Sequence, residues 1–352
     1  INKKIISNKS KTYFIADIAA NHDGSLKRAK ELIHAAKASG ADAAKFQHFS
    51  AETIVSDFGF KSLKGKLSHQ ANWKKSVFEV YKDASINLSW TPILKKECDK
   101  VGIDFFTSPY AFDMVDHIDP YVSAYKIGSG DITWHDILKY ISKKKKPVIL
   151  ATGASNLKEV EMAIKILKKN IKQICLMQCN TNYTNSDENF KFINLNVLKL
   201  YKEKFPNVIL GLSDHTGGHS TVLGAIALGA RMIEKHFTIN NNLDGPDHKF
   251  SMNPETWREM IDRARELEKS LGNGKKVIEK NEIQPAIVQR RAIRVNKNIK
   301  KNSIINGGDL TFLRPCPVNA LPPYKAKDIL GKKIIKNIKN GDVIRLKDVK
   351  KY

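Results

Sequence analysis

The chain has 352 residues, 41% of them hydrophobic, and a formal net charge of +24. That length fits one large domain plus a small one. No run approaches the roughly 18 apolar residues of a membrane-crossing helix, and the four cysteines show no CxxC spacing, so a membrane span and a cysteine-rich zinc or disulfide scaffold are excluded.

The positive charge is mostly lysine scattered through helix-like segments and residues 143–146. Without zinc-finger spacing, RNP aromatics or a basic-plus-heptad helix, it predicts a solvated surface with mild attraction for anions and no nucleic-acid partner. Cysteines on apolar runs, and residues 1–6 without an export-signal apolar stretch, predict a cytoplasmic protein.

In chain order, apolar runs alternate with amphipathic ones. Residues 13–19 read as a strand, 25–39 as a helix with Ala29, Leu32, Ile33 and Ala36 on one face, and 41–47 as a second strand. Residues 49–72 form a polar, glycine-containing excursion that reads as a functional loop. Helices follow at 77–81 and 89–101, the latter with Ser89 as N-cap before Pro92. Strands are predicted at 103–107, 122–127, 147–152, 174–180, 208–213 and 231–237. Helices are predicted at 111–118, 157–169, 197–204, 220–228 and 254–271.

Eight strands alternating with helices over about 270 residues predict a TIM (β/α)8 barrel. A doubly wound open sheet would normally carry GxGxxG after its first strand, and residues 16–24 do not. The expected organisation is a barrel at 1–272, a polar linker at 273–290 and a small β-rich unit at 291–352. That unit has short runs at 292–295, 310–313, 334–335 and 343–346. At about 60 residues it is marginal alone and should lean on a partner surface.

Catalytic groups of such barrels lie at the C-terminal ends of the strands. Here strand 1 leads to Asp17, Asn21 and His22, and strand 2 carries Lys45 and Gln47 on one face. Strand 3 ends in Thr107 and Ser108, and strand 4 in Lys126, Ser129 and Asp131. Strand 5 ends in Thr152, and strand 6 in Gln178 and Asn180 with Tyr183 beyond. Strands 7 and 8 end in His215 and His236, sharing faces with Ser213 and Glu234. Two imidazoles on neighbouring strand ends can bind one divalent metal and leave positions for substrate and water. The bland alternative is two core histidines satisfied by backbone carbonyls. Lys45 and Lys126 in one mouth predict an anion, and Ser129 between two glycines can donate to phosphate.

These residues assembled, the chain resembles the sialic acid synthase family, bacterial synthases of nine-carbon acidic sugars. The resemblance rests on Ile15-Ala-Asp-Ile-Ala-Ala-Asn-His-Asp-Gly24, Lys45-Phe-Gln47, Tyr125-Lys-Ile-Gly-Ser-Gly130, Gly211-Leu-Ser-Asp-His-Thr216, Glu234-Lys-His-Phe237 and Gly245-Pro-Asp-His-Lys249. The small unit resembles the antifreeze-like SAF domain through Leu313-Arg-Pro315 and Gly331-Lys-Lys333. The resemblance implies metal-dependent condensation of phosphoenolpyruvate with N-acetylmannosamine or a related N-acetylhexosamine, releasing phosphate. It implies that His215 and His236 hold Mn2+ or Mg2+. Lys45, Lys126, Ser129 and Ser213 would hold the phosphate and carboxylate, and Tyr183 and Asp247 would face the sugar. Gln47, Asp131 and Asn180 complete the implied substrate set, Asp17 the catalytic one. Arg314 would reach the sugar from the other subunit of a domain-swapped homodimer.

Five positions depart from the family pattern: Asp17 and Asp131 where Glu is usual, Ala151 where Ser is usual, and Gln178 and Asn180 in Gln178-Cys179-Asn180 where His-Cys-Thr is usual. Legionaminic or pseudaminic acid synthesis, use of a sugar 6-phosphate, and a non-catalytic carbohydrate- or ice-binding protein are the alternatives carried forward.

Overall fold

The computed structural model describes residues 1–2, 4–63, 70, 73–184 and 186–350. The chain divides into two compact units, Ile1–Gly272 and Asn273–Tyr352.

The first unit is a TIM barrel. Its eight strands are β1 (Tyr13–Asp17), β2 (Ala43–His48), β3 (Asp104–Pro109), β4 (Tyr125–Ile127), β5 (Val148–Ala151), β6 (Ile174–Cys179), β7 (Ile209–Asp214) and β8 (Met232–His236). Their order is β3-β2-β1-β8-β7-β6-β5-β4, every ladder is parallel, and the first and last strands pair directly. Tyr13 is opposite Met232 and Asp17 is opposite His236 in that closing ladder.

These strands are buried on both faces, which is why they read as near-continuous apolar runs. Alternate residues fill the barrel: Tyr13, Ile15, Ala43, Phe106, Ile149 and Met177 belong to one inner cluster. Their sequence neighbours Phe14, Ala16, Ala44, Phe105, Leu150 and Leu176 face the helix layer. Gly211 belongs to the inner row, where a Cβ would sit 2.8 Å from Met177 Cγ and 3.0 Å from the Met232 carbonyl oxygen. Only glycine fits without moving backbone.

The outer helices in chain order are α1 (Leu26–Ala38), α2 (Ala51–Ile54), α3 (Asp57–Ser62), α4 (Val77–Ala84), α5 (Thr91–Val101), α6 (Phe112–Ile118), α7 (His135–Lys143), α8 (Leu157–Leu167), α9 (Val197–Lys204), α10 (Ser220–Ala227) and α11 (Pro254–Ser270). Caps expected from sequence chemistry start several of them. Ser25 accepts from the Arg28 amide, Asn156 and Glu159 form a capping box, and Asn253 with Pro254 opens α11.

Three local expectations differ from the structure. The excursion expected as loop carries α2 and α3, although residues 64–69 and 71–72 of it lie outside the described residues. The N-cap of α5 is Trp90, and the Ser89 amide instead donates to Asn87 in the preceding turn. Helix α7 has no counterpart among the predicted elements, although Ile137, Leu138 and Ile141 bury one of its faces.

The second unit has its own core: Ile293, Val295, Ile299, Ile305, Ile329, Ile334, Ile338, Ile344 and Val349. Each such residue contributes about 1.5–3 kcal/mol of apolar burial. A helix α12 (Ile283–Val288) precedes a two-stranded antiparallel sheet of β9 (Ala292–Val295) and β10 (Leu310–Leu313), with Leu310 opposite Val295. The runs predicted near 334 and 343 make isolated bridges, Ile334 with Val349 and Arg294 with Val343, because turns interrupt them after one pair. Among the described residues no helix is long and apolar enough to cross a membrane.

Candidate active site

Parallel strands deliver their C-terminal residues to one end of the barrel, and the expected polar groups meet there. Lys45 Nζ lies 2.6 Å from Asp17 Oδ2 and 3.7 Å from Glu234 Oε2, and Lys126 Nζ lies 3.2 Å from Glu234 Oε1. Ser213 Oγ donates to Glu234 Oε1 at 3.1 Å. All four charged side chains are buried. Burial presses the Glu234 carboxyl upward, but Lys126 and Lys45 outweigh it and bring its pKa down to about 2. Burial likewise works against the Lys45 ammonium, and Asp17 and Glu234 reverse it, raising Lys45 above its usual value. The Asp17 carboxyl is pushed up by burial, with Lys45 opposing. Glu234 Oε2 has no hydrogen-bond partner.

Across the mouth, the His215 and His236 rings lie 5.4 Å apart between centroids. Tyr183 packs on His215 at 4.3 Å, and Phe250 packs on His236 at 4.8 Å. Burial lowers the pKa of both histidines to about 4, His236 adding to the effect on His215. Both are therefore neutral at pH 7.

His215 Nδ1 lies 2.8 Å from the Asn180 carbonyl oxygen, which can only accept, so Nδ1 carries the proton and Nε2 keeps its lone pair. His236 Nδ1 has no hydrogen-bond partner; Asp247 Oδ2 is 3.7 Å from it and Asp17 Oδ2 is 3.6 Å from Nε2. Two neutral imidazoles with free nitrogens fit a divalent cation, for which His215 and His236 would be the ligands. Among the described residues no group of three or more His, Cys, Asp or Glu makes a fuller protein cage.

The remaining predicted residues divide. Asp247 is half-buried, raised by burial, and its Oδ2 accepts from the Ala20 amide at 3.3 Å. Asp131 is half-buried beyond β4, and burial raises it to about 6 against the pull of Lys126. Ser129 Oγ accepts from the Gly153 amide at 2.9 Å, which leaves its hydroxyl hydrogen for another acceptor. Gln47 shares the Lys45 face of β2 and is half-buried. Gln178 is committed to the Ile193 carbonyl at 2.9 Å. The Asn180 side chain serves its own loop, accepting from the Asn182 amide, so it touches the histidine through its backbone oxygen. Asn180, Thr181, Asn182, Asn189, Ala154 and Phe192 line a cavity of about 340 Å3 at the ends of β5 and β6. Arg314 lies in the second unit, exposed, directly after β10.

Three site residues were given no role from the sequence, Phe250 against His236 among them. Glu234 is the common partner of both lysines, and its one signal was sharing a strand face with His236. Tyr110 follows β3, and its hydroxyl lies 3.2 Å from where a Cβ at Gly128 would sit, in reach of the turn carrying Ser129.

Comparison with known proteins bears on this mouth. A model of the NeuB family matches residues 32–276, and a SAF domain model matches 290–350. N,N'-diacetyllegionaminic acid synthase of Campylobacter jejuni is 36% identical over 339 residues, covering 95% of this chain and 99% of that protein. Pseudaminic acid synthase of the same species is 34% identical, covering 96% of each chain. The crystal structure of N-acetylneuraminic acid synthetase from Leptospira borgpetersenii superposes with a TM-score of 0.68 at 26% identity, covering 81% of this chain and 93% of that one.

Proposed function

We propose a carbon–carbon bond-forming reaction for this chain, starting from its family: the chain belongs to the NeuB family and carries a SAF domain. The reaction is condensation of phosphoenolpyruvate with the open-chain aldehyde of an N-acetylhexosamine, giving a nonulosonic acid and inorganic phosphate. One observation carries it: a single buried mouth sets two neutral imidazoles beside two lysines that share one carboxylate.

Lys45, Lys126, Ser129 and Ser213 hold the phosphate and carboxylate of phosphoenolpyruvate. The two ammonium groups are already in place, so the anion meets charges that need no reorganisation. His215 and His236 would hold a divalent cation, Mn2+ or Mg2+, which when bound supplies Lewis acidity toward the aldehyde oxygen. Asp247 and Tyr183 face the sugar chain and orient its carbonyl carbon toward C3 of phosphoenolpyruvate, with Gln47 and Asn180 at its edges. C3 forms the new bond to the aldehyde carbon. Water then adds at C2, and Asp17, made more basic by burial, takes one of the water's protons, while the former aldehyde oxygen gains a proton and becomes a hydroxyl, so the proton count closes. The bond between C2 and the phosphate oxygen breaks with its electron pair leaving on phosphate, the C2 hydroxyl proton goes with it, and the C2 ketone forms. Asp131 feels the Lys126 charge and borders the phosphate side of the site in this reading.

The identities of the curated relatives favour the sugar precursors of legionaminic or pseudaminic acid over N-acetylmannosamine. The test is phosphate release from phosphoenolpyruvate with a panel of N-acetylhexosamines and their 6-phosphates. Release with one of them supports the reading, and no release with any of them returns the chain to a carbohydrate-binding role.

Arg314 of a second copy completes the mouth in this reading, in a domain-swapped homodimer. Co-expressing His236→Ala with Arg314→Ala should then restore about a quarter of wild-type activity, because about half the dimers are mixed and each holds one intact mouth. No recovery places Arg314 in cis.

A further inference from the structure

We infer that His248 and Asp23 form a positioning pair that sets Asp247 against the sugar, an inference that rests on the proposed reaction. The segment Gly245-Pro-Asp-His-Lys249 contributes Asp247 to the mouth, and the residue beside it has no role there. Yet His248 is fully buried. Its Nε2 lies 3.1 and 3.0 Å from the two oxygens of Asp23, and its Nδ1 lies 2.7 Å from Thr238 Oγ1. Arg28 of α1 closes on the same Asp23 carboxylate. A carboxylate only accepts, so His248 presents Nε2–H to it.

This chain of contacts ties the loop after β1 to the loop after β8, and Asp247 sits inside the tie. Its carboxylate accepts from the Ala20 amide, and its carbonyl accepts from Ser251 Oγ at 2.6 Å. Asn21 fixes Ser251 and the Phe237 carbonyl, each at 2.9 Å. The two loops therefore hold Asp247 at both its backbone and its side chain, 3.7 Å from His236 Nδ1.

Gly245 is the condition for the pair to close. A Cβ there would lie 2.6 Å from His248 Cδ2 and 3.0 Å from Asp23 Oδ1. The requirement is one of packing: three residues exist in this form so that one carboxylate points correctly.

The experiment compares full-length Gly245→Ala, Asp23→Ala and His248→Gln with wild type in the phosphate-release assay, with melting temperatures taken alongside. Gln places an amide nitrogen near the position of Nε2, so it preserves the bond to Asp23. The first two variants should raise KM for the sugar by about tenfold or more, with KM for phosphoenolpyruvate within about twofold, as loss of one oriented polar contact predicts. His248→Gln should stay within about threefold of wild type for the sugar. An unchanged sugar KM in Asp23→Ala, or equal changes in both KM values with a lowered melting temperature, overturns the pair and leaves the reaction standing. Absence of phosphate release by wild type overturns the reaction and the pair with it. If Gly245→Ala does not fold, Asp23→Ala decides alone, since Asp23 is only half-buried.

Discussion

Two adjacent rows of the β7–β8 ladder carry buried charge and end in opposite states. In one row Asp214 faces Lys235; in the next, Ser213 faces Glu234. Lys235 Nζ contacts Asp214 Oδ2 and lies 2.6 Å from the Thr216 carbonyl oxygen. Asp214 also accepts from the hydroxyls of Thr216 and Thr221, at 2.9 and 2.8 Å, so that pair is saturated by protein. Glu234 is stretched between two lysines and keeps an oxygen without a hydrogen bond. A saturated buried pair specifies shape. A buried cluster with valence left over is where a ligand completes the hydrogen bonding.

The largest effect should come from the open row. His236→Ala should lower phosphate release by at least about a hundredfold while the barrel still melts cooperatively. EDTA should do the same to wild type, and Mn2+ should reverse it. Full turnover in EDTA would remove the cation from the scheme.

The closed row should respond in stability. Lys235→Met leaves Asp214 buried and uncompensated, an arrangement that costs about 3–5 kcal/mol. Urea denaturation should show that loss, and the KM values of the protein that remains folded should match wild type. A stable Lys235→Met with a raised phosphoenolpyruvate KM would erase the distinction between the rows.

Back in the mouth, Lys126→Met removes one charge-assisted contact worth about 1.5–3 kcal/mol, or one to two decades in KM for phosphoenolpyruvate. The KM for the sugar should move less. Equal shifts for both substrates would make Lys126 a structural residue like Lys235.

The smallest effect is a pH slope. Burial raises Asp131 from 3.8 to about 6, so the folded protein holds this proton more tightly than the unfolded chain. The stability this contributes is complete below pH 3.8 and is lost as pH rises through 6. Relative to Asp131→Asn, wild type should therefore lose melting temperature between about pH 4 and 6. Parallel curves would mean that Asp131 titrates near its ordinary value.

Much of this was legible in the chain itself. Strands buried on both faces must be apolar throughout, and the helices between them must repeat with a helical period, so the barrel could be counted. Helix α7 escaped because its lysine-rich end merges into the basic run that follows. Helices α2 and α3 escaped because four and six residues are too few to establish a period.

In the site, lysines and histidines at strand ends stood out because such groups are rarely buried. Glu234 did not, since its partners arrive from β2 and β4. Only the curling of the sheet into a barrel brings those strands around to β8. The His248–Asp23 contact spans 225 positions of chain and has no local signature at all.

The row alternation also determines how the protein can be re-engineered. A library restricted to 213, 234 and 236 varies the mouth without entering the helix layer, and one at 214 and 235 tunes thermostability without touching the substrates. A one-residue deletion in the turn at 228–231 has no such selectivity. It would slide β8 by one position, carry Lys235 into the mouth and send Glu234 and His236 into the apolar layer outside.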